Sequence, residues 1–477
     1  CARVMRGVAA RYPRGALATP HYLASAAGAA ELARGGNAID AIVAANLALG
    51  VVAPYYCGSG GDLFAIVWDG RLHGYLGSGR SPASATLDGV SDRLGDAPLL
   101  VGPHSVTVPG AVAGWFDLLE HWGTRSLGTL AADAIRYARD GFAMSPMGAG
   151  ACEQYRGAYR GLDEWQAVYG GRKVGDLLVQ PGAARLLELL AADGPDAYYG
   201  GPVAESIATE LQELGGFMER ADLEAYSGEW TEPLAAPYRD VTVAELPPPT
   251  QGVAVLEILR ILEWFDLPAL APADRTHAMI EAVKIGLQDR DDHITDPACM
   301  RVEPGALLDE QWVRDRRASI HMQRARTPEP GHPQRGGTAY MCAADGDGLL
   351  VSLIQSNFLG FGSGVHVPEW GINLNNRGSS FRLDPAHVNA FAPAKRPMHT
   401  LIPAMVLRDG TPSLVFGSMG GDAQAQVHAQ VLSAVIDDHA DPQRAIDAPR
   451  WRVDTGSWRV RAEQRMDADL LADLAFR

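Results

Sequence analysis

The chain has 477 residues, 47% of them hydrophobic, which is enough for one large core or two domains. Its 41 basic and 57 acidic residues give a formal net charge of -16, which argues against nucleic acid or an anionic membrane as partner. Five scattered cysteines (Cys1, Cys57, Cys152, Cys299, Cys342) lack CxxC spacing, so neither a disulfide framework nor a zinc site follows from them.

In chain order, residues 22–34 read as an Ala- and Leu-rich helix stopped by Gly35-Gly36. Asn37 then caps a second helix over 38–52, ended by Pro54. The apolar run 41–54 is too short to span a bilayer and contains Asn46. No signal peptide is visible, so a soluble, cytoplasmic protein is expected, although position 1 is not Met. Residues 63–68 and 72–76 form a hairpin around Asp69-Gly70. Helices follow over 111–122, 127–140, 202–214 and 253–265, the last entered through the rigid turn Pro247-Pro-Pro-Thr-Gln-Gly252. Residues 275–292 read as a long helix with a polar face, and Asp289-Arg-Asp-Asp-His293 as its solvated end. Adjacent residues there do not share a face, which speaks against a converging metal site.

A Pro/Gly-rich stretch, Thr327-Pro-Glu-Pro-Gly-His-Pro-Gln-Arg-Gly-Gly337, reads as an exposed loop. Beyond it the texture becomes strand and turn: residues 338–344, then Asp345-Gly-Asp-Gly348, then 349–354. Thr338 therefore opens a strand directly after a cleavable loop. A self-cutting hydrolase places its new N-terminus at such a junction, where the freed α-amine serves as base for the threonine's own hydroxyl. The bland alternative, a threonine that merely starts a strand, is commoner on local pattern alone.

Other segments are ambiguous by themselves. Cys57-Gly-Ser-Gly-Gly-Asp-Leu-Phe64 lacks the order of a phosphate-binding loop and reads better as a tight turn. Phe416-Gly-Ser-Met-Gly-Gly421 lacks the glycine a nucleophile elbow needs, yet Gly420-Gly421 could present two backbone N–H groups to an oxyanion. Arg80 and Arg377 sit in Gly/Ser-rich loops that would suit carboxylate recognition if the fold brought them together.

Taken in order, these pieces resemble the γ-glutamyltransferase family of N-terminal-nucleophile hydrolases. The likeness runs through Gly35-Gly-Asn-Ala-Ile-Asp40, residues 54–64, Val108-Pro-Gly-Ala-Val-Ala-Gly114 and residues 247–252. It continues with His277, Glu281, Lys284 and Asp289-Arg290, then Thr338, Gly362-Ser-Gly364, Asn375-Asn376, Lys395-Arg-Pro397 and Gly420-Gly421. The resemblance implies an α/β fold of four layers (αββα), a single structural domain with no metal or organic cofactor. It implies scission between Gly337 and Thr338 into a helix-rich large subunit, 1–337, and a β-rich small one, 338–477. The two would stay together as an intertwined heterodimer, with a dimer of heterodimers left open. Relatives in the family continue with further strands, so the small subunit is expected to be short at its C-terminus. By the same likeness Thr338 is the nucleophile, Ser356 the hydroxyl residue bonded to it, and Gly420-Gly421 the oxyanion hole.

The departures bear on substrate. Arg80 matches the arginine that holds the α-carboxylate of a γ-glutamyl group, whereas Ser380 falls where the family carries an acid for the α-ammonium. Phe358 replaces a supporting Asn, Arg377 a neutral Gln, and His399-Thr400 a Ser-Ser pair, while Asn357 is a candidate for rebuilt amine recognition. Losing an acid and gaining a cation disfavours an ammonium. Those features resemble the oxamate-amidohydrolase-like branch, which implies hydrolysis of a small carboxylated amide held by Arg80 and Arg377. The alternatives are a true γ-glutamyl hydrolase or transferase, a member cleaving a short acyl group (a C–C bond included) in secondary metabolism, and an uncleaved, non-catalytic binding protein.

Overall fold

Two antiparallel sheets face each other, and the period-2 alternation of their strands decides what lies between them. The computed structural model describes residues 9–328 and 337–477, so most of the loop expected over 327–337 lies outside the described residues. The first sheet has six strands in the order Gly15–Ala18, Gly337–Asp345, Leu350–Phe358, Asp62–Trp68, Leu72–Gly77, Glu229–Thr231. The second has four, in the order Thr411–Phe416, Ala404–Arg408, Val241–Glu245, Leu234–Tyr238. Residues from both sides of position 337 enter each sheet.

Phe64, Ile66, Leu76 and Ile354 of the first sheet meet Leu246, Leu401 and Met405 of the second side in the layer between the sheets. The alternate residues Leu63, Ala65, Val67, Met341, Val351 and Leu353 turn the other way, onto a core shared with helices Tyr22–Ala33 and Ala38–Val52. Val243 and Val406 face outward from the second sheet, onto helices Gly252–Leu262, Pro272–His293 and Ala423–Leu432. The architecture is the expected four-layer αββα. Each such buried aliphatic side chain contributes ~1.5–3 kcal/mol.

Local chemistry explains the element ends. Asn37 and Asp40 form a reciprocal capping box at the start of the second helix. Asp345, in the turn of the expected hairpin, accepts from the Ala38 N–H at 3.0 Å and so ties that turn to the same helix start. The hairpin turn is completed by Gly348 at φ +93°.

Three expectations are corrected. The helix anticipated over 127–140 is two, Leu127–Leu130 and Ala132–Asp140, joined at Ala131. Part of the polar face of Pro272–His293 turns inward: His277, Glu281, Lys284, Asp289 and Arg290 are buried. Asp289 pairs with Arg316 at 2.6 Å and Arg290 with Asp422 at 2.6 Å, so the first part of the expected solvated helix end is an internal charge network, while Asp292 is exposed as expected. The segment after Thr338 also contains helices, Ala423–Leu432 and Ala468–Ala475 among them, besides its strands. No described helix is long and apolar enough to cross a membrane.

Candidate active site

The alternation that puts Phe64, Tyr340 and Ile354 between the sheets continues along the same strands to Asp62, Thr338 and Ser356. Three polar residues thus arrive at one end of an apolar layer, and all three are buried. Ser356 is the register partner of Asp62 on the neighbouring strand. On its other side the ladder with the Thr338 strand breaks at a bulge between Gln355 and Phe358, and Phe358 adopts φ +78°. Bulges re-aim side chains, and a positive φ at an aromatic residue is strained.

The bulge builds the first part of the site. The Ser356 hydroxyl accepts the Phe358 N–H at 2.7 Å and donates to the Gly337 carbonyl at 2.6 Å. Thr338 Oγ1 lies 3.5 Å from Ser356 Oγ. The carbonyl immediately before the threonine is therefore polarised by a hydroxyl beside the threonine's own.

The second part is a buried charge cluster around Asp62. Its Oδ2 accepts from Arg377 Nε at 3.3 Å and from His399 Nε2 at 3.0 Å, and all three residues are sealed from solvent. The Phe358 ring covers one face of the Arg377 guanidinium at 4.1 Å. Burial pushes the Asp62 carboxyl up to about 7, although Arg377 pulls the other way. Burial also brings Arg377 down to about 10 and holds His399 neutral, well below the usual imidazole range. Arg377 Nη1 and Nη2, Asp62 Oδ1, Asn357 Oδ1, His399 Nδ1 and Thr400 Oγ1 have no hydrogen-bond partner among the described residues. Buried polar atoms are otherwise nearly always paired, so the free atoms of the contacting Asp62, Arg377 and His399 mark a place able to receive polar groups.

Rigid supports hold these side chains. Asn375 Oδ1 accepts the Arg377 N–H at 3.0 Å, while Asn375 Nδ2 donates to the carbonyls of Gly60 and Thr107. In the Cys57–Phe64 segment, a Cβ on Gly60 would come 2.2 Å from the Asn373 carbonyl oxygen, which explains glycine in this tight turn. His399 is clamped by backbone bonds to Pro249 and Gln251. Gln251 Nε2 then donates to the carbonyls of Thr400 at 2.8 Å and Gly421 at 3.1 Å. Gly420 and Gly421, at φ +128° and +61°, make the turn before helix Ala423–Leu432. The Pro247–Gly252 turn thus couples the His399–Thr400 segment to the glycine pair.

Arg80 and Arg377 have different partners. Arg80, half-exposed, donates to Asp296 at 2.7 Å and to the Ala394 carbonyl at 3.0 Å. It lines a cavity of about 650 Å³ with Ser78, Tyr226, Glu229 and Arg396. Ser380 is buried at the end of the Arg377 turn, its carbonyl accepting from Asn389. The expectation that Arg377 lacks a carboxylate to offset it is corrected here: Asp62, 315 positions away in sequence, supplies one. The sequence holds only a weak signal for Asp62, an acid opening the continuous apolar strand Asp62–Trp68 and in phase with its inward-facing Phe64. No group of three His, Cys, Asp or Glu able to hold a metal occurs among the described residues.

A threonine at the start of a central strand, between two sheets sandwiched by helices, defines an N-terminal-nucleophile hydrolase. Residues 24–477 match the family model for gamma-glutamyltranspeptidase. The chain is 37% identical over 449 residues to an oxamate amidohydrolase proenzyme of Klebsiella pneumoniae, covering 92% of this chain and 84% of that one. It is 36% identical over 448 residues to a glutathione hydrolase-like YwrD proenzyme of Bacillus subtilis, covering 91% and 84%. A solved cephalosporin acylase from Bacillus halodurans superposes with a TM-score of 0.92 at 38% identity, over 99% of this chain and 90% of that one. The chain belongs to the gamma-glutamyltranspeptidase family, and it is an enzyme of the hydrolase and acyltransferase kind.

Proposed function

We propose that this enzyme cuts itself between Gly337 and Thr338 and then hydrolyses a small acyl amide whose acyl group carries a carboxylate. In the cut, Thr338 Oγ adds to the Gly337 carbonyl, the C–N bond breaks, and the hydroxyl proton passes to the departing nitrogen. That step frees the Thr338 amine; water then hydrolyses the resulting ester, releasing the Gly337 carboxylate and restoring the Thr338 hydroxyl. The Ser356 hydroxyl on the Gly337 oxygen favours the developing oxyanion. The two fragments remain joined, because strand Gly337–Asp345 pairs with Gly15–Ala18 and Leu350–Phe358 with Asp62–Trp68.

In the mature enzyme the Thr338 amine accepts the proton of its own hydroxyl, and Oγ attacks the substrate carbonyl. The N–H groups of Gly420 and Gly421 stabilise the tetrahedral oxyanion. The amine leaves with a proton, and water releases the acid from the acyl-threonine. The substrate carbonyl takes the place that the Gly337 carbonyl holds in the uncut chain.

One observation carries the substrate assignment: Arg377 is fully buried, its Nε meets Asp62, and its two terminal nitrogens have no hydrogen-bond partner among the described residues. A carboxylate fits that pair of donors side by side. Arg80 reads charge at the mouth, with His399, Thr400, Asn357, Phe358 and Ser380 shaping the pocket. The same chemistry is named for the Klebsiella relative. Incubation of the purified enzyme with oxamate and with a γ-glutamyl anilide tests it, and rapid turnover of the anilide alone would overturn the assignment. Asp62 favours a second reading. Its Oδ1 and Asn357 Oδ1 are acceptors that an amine could use, which suits an acyl group bearing both carboxylate and amine, as in a γ-glutamyl compound. A C–C bond-cleaving variant would act on the same acyl group and use the same nucleophile.

A further inference from the structure

The sheet register puts Asp62 beside Ser356, one residue pair from the nucleophile, and its Oδ2 holds both Arg377 and His399. Among the described residues, the contacting cluster therefore holds one guanidinium and one carboxylate, closed off from water. A substrate carboxylate on Arg377 Nη1 and Nη2 would put two carboxylates on one cation. In a medium that solvates charge poorly, two close carboxylates sharing one cation do not both remain ionised.

The other groups facing Asp62 do not relieve this. His399 is neutral, and the phenols of Tyr226 and Tyr199, both close enough to feel Asp62, are held protonated by burial. Arg396 acts on His399 and Tyr226 but is engaged by Glu229 and Asp296. Gln355 and Ser356, on the strand paired to Asp62, carry no charge. After scission the Thr338 amine becomes a further titrating group nearby, and catalysis requires it neutral.

We propose that binding of an anionic acyl group at Arg377 is coupled to uptake of one proton by Asp62, so that Asp62 positions the guanidinium and sets the pH range in which carboxylated substrates are held. This inference rests on the reading that a carboxylate occupies Arg377. The proton comes from solvent and goes to Oδ1, the oxygen without a partner among the described residues. Oδ2 keeps accepting from Arg377 Nε and His399 Nε2, so the guanidinium stays oriented while its countercharge passes to the substrate. With the unliganded carboxyl titrating at about 7, the sign follows. Below that pH Asp62 already holds its proton and affinity is flat; above it each bound carboxylate must draw a proton from solution, and affinity falls.

The test uses the self-cleaved enzyme, with acetate as an inert monocarboxylate in binding calorimetry and oxamate for KM. Between about pH 7 and pH 9 the acetate dissociation constant and the oxamate KM should each rise about tenfold per pH unit, and level off below pH 7. Asp62→Asn mimics the protonated acid, so it should bind at all these pH values with a flat profile. A slope that survives in Asp62→Asn belongs to the Thr338 amine and overturns the proposal, as does a flat wild-type profile. If Asp62→Asn does not fold, the dependence of wild-type binding enthalpy on buffer ionisation near pH 8 should report about one proton taken up, and zero overturns the coupling. Arg377→Met separates the two levels. If it abolishes acetate binding while the wild-type profile is flat, the carboxylate reading stands and the coupling fails. If it leaves acetate binding unchanged, the carboxylate reading itself fails.

Discussion

Arg290 and Arg377 are both sealed from solvent, yet their surroundings are opposite. Arg290 is saturated: Nη1 donates to Gln251 and Asp422, while Nε and Nη2 donate to Asp291. Those carboxylates outweigh burial and raise its pKa. Arg377 has one longer contact, Nε to Asp62 at 3.3 Å, and burial lowers its pKa to about 10. Desolvating a guanidinium is costly in either place, and only full hydrogen bonding offsets it. Arg290 is thus a structural strut beneath the Gln251 turn, whereas Arg377 has two donors with no partner among the described residues, in the cluster around Asp62. A buried ion pair alone does not separate scaffold from site; the count of unsatisfied atoms does.

The comparison breaks most severely at the nucleophile, on which the functional side depends. Thr338→Ala should leave the chain as one band on denaturing electrophoresis and reduce kcat/KM by about 10⁴-fold or more. The wild type should give two fragments, the smaller beginning at Thr338 by mass spectrometry. Scission at another position, or activity in the alanine variant, would remove the chemistry from this site altogether.

Next come the arginines themselves. Arg290→Met leaves Asp422 and Asp291 facing each other without their cation and should cost about 3–5 kcal/mol, read from the denaturant midpoint of unfolding. Arg377→Met also takes the cation from a buried carboxylate, but Asp62, raised to about 7 by burial, can take up a proton instead of staying charged, so the cost should be smaller, about 1–3 kcal/mol. Its main effect should appear as an oxamate KM raised about 10- to 100-fold with kcat largely retained. A reversal, with Arg377→Met the more destabilising of the two, would show that unsatisfied atoms do not mark function here.

What could be read in the sequence follows the same division. Local signals were sufficient for the helix capped by Asn37 and for the hairpins around Asp69-Gly70 and after Thr338. Thr338 itself became legible only through the ordered family motifs, since a strand-initial threonine is common. Asp62 was not legible as a site residue, because its partners lie 315 and 337 positions away along the chain. The buried face of Pro272–His293 was hidden for a related reason: helical spacing of charged residues looks alike whether water or distant countercharges face it. Asp289 meets Arg316 across 27 positions, and Arg290 meets Asp422 across 132.

Arg80 offers the mildest test, because it lies between the two extremes. Its guanidinium is bound to Asp296 on one side, as Arg290 is bound to its acids, but it is half in solvent at the wall of the 650 Å³ cavity. Water screens an exposed cation and leaves an interaction of about 1 kcal/mol or less. Arg80→Lys keeps the charge and loses the planar fork that can hold Asp296 and a carboxylate together. We expect KM for oxamate to rise roughly fivefold, with kcat and the unfolding midpoint unchanged. Added salt should shrink that difference for Arg80 while leaving the Arg377→Met defect intact, since screening reaches the cavity mouth and not the sealed cluster. If salt abolished both defects equally, Arg377 would be behaving as a surface charge, and its burial would have no bearing on recognition.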